Sequence, residues 1–315
     1  MVPDATFTSY YGRPVVKASP WEADIPAYLF LGGLAAGSSM LAAGADLTGR
    51  PALRQAGRLA AFTAINLSFA ALVHDLGRPA RFLNMVRVAK LTSPMSVGTW
   101  LLTVFGPLTG LAAAAELAPV VADRLPEPLR GPARLLAGTG RPAGLAAAAV
   151  APAIATYTAV LLSSTATPTW NEARRELPFV FAGSAAAAAG GLGMVLAPTE
   201  QTGPARRLAL AGAITELAAE QALQSRLGML AEPLHRGRAG TLMRASKALT
   251  AIGAAGALLA GRSRIGSAIS GAALLAGSAA TRFGIFEAGQ ASARDPRYTV
   301  IPQRQRIERG ESVGA

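Results

Sequence analysis

Apolar runs of bilayer length recur from one end of this chain to the other, and few folds survive that constraint. The runs fall near residues 25–46, 57–73, 95–117, 144–164, 179–197, 206–223, 242–260 and 265–286. Each is long enough, or nearly so, to cross the hydrocarbon core as a helix, which gives about eight crossings. Composition agrees, because 51% of residues are hydrophobic and only 15% are charged. Ala and Gly supply much of the apolar content, as in membrane helices that pack closely, and the short alternating strands of a barrel are missing. The expectation is an all-α integral membrane protein of about eight transmembrane helices, grouped as two four-helix bundles. It occupies residues 25–287, between an N-terminal tail (1–24) and a C-terminal tail (288–315).

The net charge of +12 sits mainly in the short connections between apolar runs. Topology selection and anionic lipid place basic residues there, so the charge does not point to nucleic acid. More Lys and Arg fall on the face shared by the termini than on the other, which predicts cytoplasmic termini in the cell membrane. The first 19 residues hold no apolar core, so no cleaved signal peptide is expected. With no cysteine and only His74 and His235, the chain cannot ligate an iron–sulfur cluster or a diheme pair, and a structural zinc site is not expected. Any redox work must use an organic cofactor or a partner's metals.

The densest polar stretch between apolar runs is His74–Trp100, with Arg78, Arg81, Asn84, Arg87 and Lys90. Held at both ends by membrane segments, it reads as a docking surface or the rim of a site. On the same face Asp24 and Tyr28 open the first span, His74 and Asp75 end the second, Tyr157 lies in the fourth, and Trp170 follows it. A quinone needs such a place: an apolar channel for its tail and donors for its two carbonyl oxygens. Each residue has a plainer reading. Trp21, Trp100 and Trp170 suit an interfacial aromatic belt, His74–Asp75 suits a helix end paired with Arg78, and Tyr28 suits either role. Within the spans, Glu116, Glu216 and Glu220 are candidates for a proton path. Asp46 and Glu116 lie near span ends where arginine or water would satisfy them, and Glu216 could instead pair with Arg282. Gly33 and Gly37 form a GxxxG pair, expected to mark a close helix contact.

Several motifs together resemble one family. The runs W-E-x-D-I-P-x-Y-x-F-L-G-G (21–33), D-L-G-R-P-x-R-F-x-N (75–84) and S-P-M-S-V-G-T-W (93–100) occur in order, followed by Y-T-A-V-L-L-S-S (157–164) and F-E-A-G-Q-A-S-A-R-D-P (286–296). This order is similar to the NrfD/polysulfide reductase membrane subunits. The resemblance implies an eight-helix, heme-free subunit that exchanges electrons between a menaquinone or ubiquinone pool and a four-cluster ferredoxin-like iron–sulfur subunit. In many members that partner serves a molybdopterin oxidoreductase. It further implies a quinone pocket near the docking face, with Tyr28 and Tyr157 at the family's tyrosine positions and the turn at Asp75 beside them. The expected function is therefore a quinone-interacting membrane anchor, with the partner resting on Arg78, Arg81, Arg87 and Lys90. Two rivals are a secondary transporter using Glu116, Glu216 and Glu220, and an anchor whose pocket is filled by its own side chains.

Overall fold

The computed structural model describes residues 13–122, 124, 126–259 and 263–310, and 85% of these described residues are helical. The expected tails therefore lie outside the described residues over 1–12 and 311–315, as do Ala260, at the end of the seventh expected span, and Arg262. The helices are α1 (Asp24–Leu47), α2 (Pro51–Asp75), α3 (Arg81–Val86), α4 (Pro94–Ala122), α5 (Glu127–Ser163) and α6 (Pro168–Glu172). They continue as α7 (Leu177–Leu196), α8 (Gly203–Leu227), α9 (Gly237–Leu259), α10 (Arg264–Arg294) and α11 (Arg297–Glu308).

Seven helices among the described residues, all the long ones but α8, are long and apolar enough to cross a membrane. At 25 residues α8 spans roughly 37 Å, enough for an eighth crossing. Its charges lower its hydropathy, but Glu216 and Glu220 point inward while Ile214 points out. Elsewhere Leu67, Val104, Ile252 and Ile269 face outward, as a bundle solvated by lipid requires.

Consecutive long helices pair as α1/α2, α4/α5, α7/α8 and α9/α10. The first two hairpins close one ring through α1/α5 and α2/α4, and the last two close another through α7/α10 and α8/α9. The rings meet chiefly where α1 and α5 pack on α7. Small residues make that seam possible: a Cβ on Gly37 would lie 2.6 Å from the Ala185 carbonyl oxygen and the Ala189 Cβ. The expected GxxxG contact is thus the seam between the two bundles.

Three boundaries differ from the expectation. Arg54, ahead of the second expected span, lies inside α2, and the stretch left between the third and fourth expected spans is mostly the end of α4 and the start of α5. Helices α4 and α5 retain Pro107, Pro119, Pro132, Pro142 and Pro152 internally. Neighbouring helices in a membrane re-satisfy the backbone groups a proline frees, so it need not end a span. At the other end of the chain, α10 runs on to Arg294 and α11 follows, where a polar tail was expected.

Candidate functional site at the terminal face of the first bundle

The start of α1, the end of α2, the start of α4 and the end of α5 converge on one face. Gly77, with φ of 66°, takes the left-handed conformation that ends α2, and the chain turns through Arg78–Ala80 into α3. Between these ends lies a cavity of about 60 Å³ whose wall includes Trp21, Tyr28, Asp75, Thr99 and Tyr157.

Tyr157 is 8% exposed, and its Oη is buried without a hydrogen-bond partner. A buried hydroxyl usually finds a partner, because leaving it unpaired costs free energy. Its ring lies against Gly98, where an added Cβ would overlap it. Tyr28 is 3% exposed, and its carbonyl accepts from Ser68 Oγ at 3.0 Å, which fixes α1 on α2. Asp75 lines the cavity within reach of the Glu22 backbone N–H. His74 shares a 2.6 Å hydrogen bond with Asp24, and its side chain is 82% exposed. Asp24 and His74 therefore form a pair at the rim, while Asp75 belongs to the wall. The plainer reading, a pairing with Arg78, is not found among the ion pairs of the described residues.

Trp170 is a correction. It is neither at an aromatic belt nor in the cavity wall, being fully buried behind Trp21. Its Nε1–H donates to the Ile285 carbonyl at 2.8 Å, and its ring centroid lies 6.2 Å from that of Trp21 and 5.5 Å from that of Phe286. The short helix α6 turns inward onto α10, where Gly289 leaves room for the indole. Gln290 of α10 donates to the carbonyls of Ser19 and Trp21 at 3.0 and 3.2 Å, tying the segment before α1 across this face.

The ionisable residues of the spans lie apart from the cavity. Glu116 is held at the opposite end of the first bundle by Arg54 at 2.7 Å and Arg58 at 2.8 Å, and Asp46 joins the same network. That is the arginine pairing foreseen as its plainer role. Glu216 lies inside the second bundle, where Thr281 Oγ1 donates to it at 2.6 Å and its Oε2 has no partner. Arg282 makes no ion pair with it; its Nη2 instead donates to the Phe181 carbonyl at 2.8 Å and its guanidinium stacks on the Phe181 ring. One turn on, Glu220 meets Gln224 at 2.8 Å and Lys247 at 3.3 Å. Glu216 and Glu220 thus share one buried face, and Glu116 is on another bundle.

Outside the cavity, Arg78, Arg81, Arg87 and Lys90 are all exposed, and Leu91 among them is 92% exposed. The wall also contains Met85, Met95 and Gly98, which sequence reasoning did not single out. A glycine inside an apolar helix, in the run 93–100, was the available signal for Gly98.

Comparison with protein families matches residues 15–231 to the family described as polysulphide reductase, NrfD. The chain belongs to the NrfD family. Comparison with curated proteins gave no match. The match covers the whole first bundle, α6, α7 and α8, and so every residue of the cavity wall named above. Membership makes this NrfD protein a multi-pass membrane subunit of the quinone-linked oxidoreductase class. The fit of its cavity to a quinone rests on the residues present. A tyrosine whose hydroxyl is unpartnered, a second tyrosine and a carboxyl line one largely apolar space.

Proposed function

We propose that this NrfD-family chain is the quinone-interacting anchor of a multisubunit oxidoreductase. In that reading it passes electrons between a menaquinone or ubiquinone pool and the iron–sulfur subunit of a molybdopterin enzyme. The observation that carries the proposal is the unpaired, buried Tyr157 hydroxyl in the wall of the cavity it shares with Tyr28 and Asp75. A bound quinone supplies two-electron, two-proton chemistry. Tyr157 and Tyr28 would donate hydrogen bonds to its ring oxygens, and Asp75 would hold or release a proton at the wall. The His74–Asp24 pair would connect that wall with water. The chain's own walls exclude water from the ring, while the exposed Arg78, Arg81, Arg87 and Lys90 would receive an acidic partner surface beside it.

Orientation is part of the proposal: the basic excess supports placing this face in the cytoplasm. So is proton movement through the second bundle by Glu216 and Glu220, supported by their burial and shared helix face. The test is quinone turnover by the purified complex with Tyr28→Phe and Asp75→Asn. Both should slow turnover while the complex stays assembled. Unchanged turnover in both would reject the site.

A further inference from the structure

A lipid quinone has a ring and a long apolar tail, and a cavity of about 60 Å³ cannot take the tail. Where the tail leaves can be read from the neighbouring voids. The cavity wall shares Met85, Met95 and Thr99 with a second space of about 200 Å³ between α3 and the first turns of α4. That space shares Lys90 and Ser96 with an almost wholly apolar groove of about 290 Å³, walled by Leu91, Val97, Trp100, Leu101, Val104 and Val150. Three contacts hold the roof between them. Ser96 Oγ donates to the Val88 carbonyl at 2.9 Å and accepts from the Lys90 N–H at 2.9 Å, and Trp100 Nε1–H reaches the same Val88 carbonyl at 3.4 Å. A larger groove, about 540 Å³ beside Leu59, Thr63 and Leu67, shares no residue with the cavity wall.

From these shared walls we infer that the tail of a lipid quinone leaves the Tyr157 cavity past Met85 and Met95, crosses beneath residues 88–90, and lies in the lipid-facing groove on α4 and α5. The inference rests on the quinone reading of the cavity. The two methionines make a yielding gate, since an unbranched thioether side chain has several rotamers of similar energy. The ring passes between them on its way in, and the first units of the tail keep them apart afterwards. Past the second space, whose wall includes Asn84, Lys90, Ser93 and Ser96, the groove becomes apolar, as an isoprenoid chain requires, and Val104 and Trp100 open it to the bilayer. The chain therefore selects quinones with tails over ring-only quinones by contacts remote from the ring.

The test uses the full chain in nanodiscs with two probes: a ring-only 2-methylnaphthoquinone, and a polyprenyl menaquinone carrying a photoreactive group on its tail. On the unaltered chain the tail should cross-link to residues 97–104 or Val150. Val104→Phe and Val150→Phe narrow the groove from its lipid side. They should raise the Kd of the long-tailed quinone about tenfold, the worth of roughly two buried methylenes, and leave the ring-only quinone within about twofold. Cross-links at Leu59, Thr63 or Leu67 would overturn the route while leaving the cavity reading intact. So would equal losses for both probes. Failure of both probes to bind the unaltered chain would overturn the cavity reading, and the route with it; binding of the ring-only probe without the long-tailed one would overturn the route alone.

Discussion

Tyr157→Phe should act in opposite directions on stability and on quinone affinity. The substitution removes one oxygen and keeps the ring that packs on Gly98. In the chain without quinone that oxygen is buried and unpaired, a state that costs about 1–3 kcal/mol. Removing it should leave thermal stability unchanged or raise it. With quinone bound, the same hydroxyl makes a hydrogen bond worth about 0.5–1.5 kcal/mol, so its loss should weaken the Kd by roughly 2- to 13-fold. Ligand-induced stabilisation supplies an independent scale. At a free quinone concentration of about 100 times the original Kd, the unaltered chain gains about 2.7 kcal/mol, and a tenfold weaker variant about 1.4 kcal/mol. The assay is thermal unfolding in nanodiscs with and without quinone, alongside quenching of tryptophan fluorescence. A variant that loses more than about 1 kcal/mol without ligand yet binds quinone unchanged would refute the reasoning, because the hydroxyl would then be structural.

Gly98→Ala attacks the same site from the opposite wall: the added methyl displaces the Tyr157 ring, at a cost of about 1–3 kcal/mol in stability and a larger loss of quinone binding than Tyr157→Phe gives. Trp170→Phe removes the N–H donated to the Ile285 carbonyl, which should lower unfolding free energy by about 1–3 kcal/mol through the orphaned acceptor and lost volume. Arg58→Ala leaves Glu116 and Asp46 short of a partner in a buried network, and destabilisation of about 3–5 kcal/mol should follow, partly recovered by adding Glu116→Gln. At the start of α7, hydrogen bonds from Arg226 hold the Glu176 carboxyl below its ordinary value. Its contribution is present above the ordinary carboxylate range and is lost as pH falls through the depressed value. Glu176→Gln should therefore flatten the acid limb of a stability–pH curve.

The spans were legible because hydropathy over a bilayer's thickness is a signal that tertiary context hardly alters. Tyr28, Tyr157 and Asp75 were legible for a related reason: polar groups at the ends of apolar helices are few, and all three lie on one face once the crossings are counted. Trp170 was misread because a tryptophan at a span end usually marks the bilayer surface. Its burial depends on α6 turning inward and on Gly289 more than a hundred residues away, which no local pattern reports. The length of α5 was hidden for the opposite reason, since its internal prolines are local breakers that neighbouring helices override. Asp24 and His74 were each noticed, but their pairing joins the first turn of α1 to the last of α2 and needed the hairpin to show it.

Gln290 links parts of the fold that are far apart in the chain. Its amide grips the backbone at Ser19 and Trp21, so the last turns of α10 and the strap ahead of α1 move as one. Trp21 roofs the tyrosine chamber, and α11 continues directly from α10. The helix α11 is thereby joined, through α10 and one side-chain amide, to the segment whose tryptophan walls the tyrosine chamber.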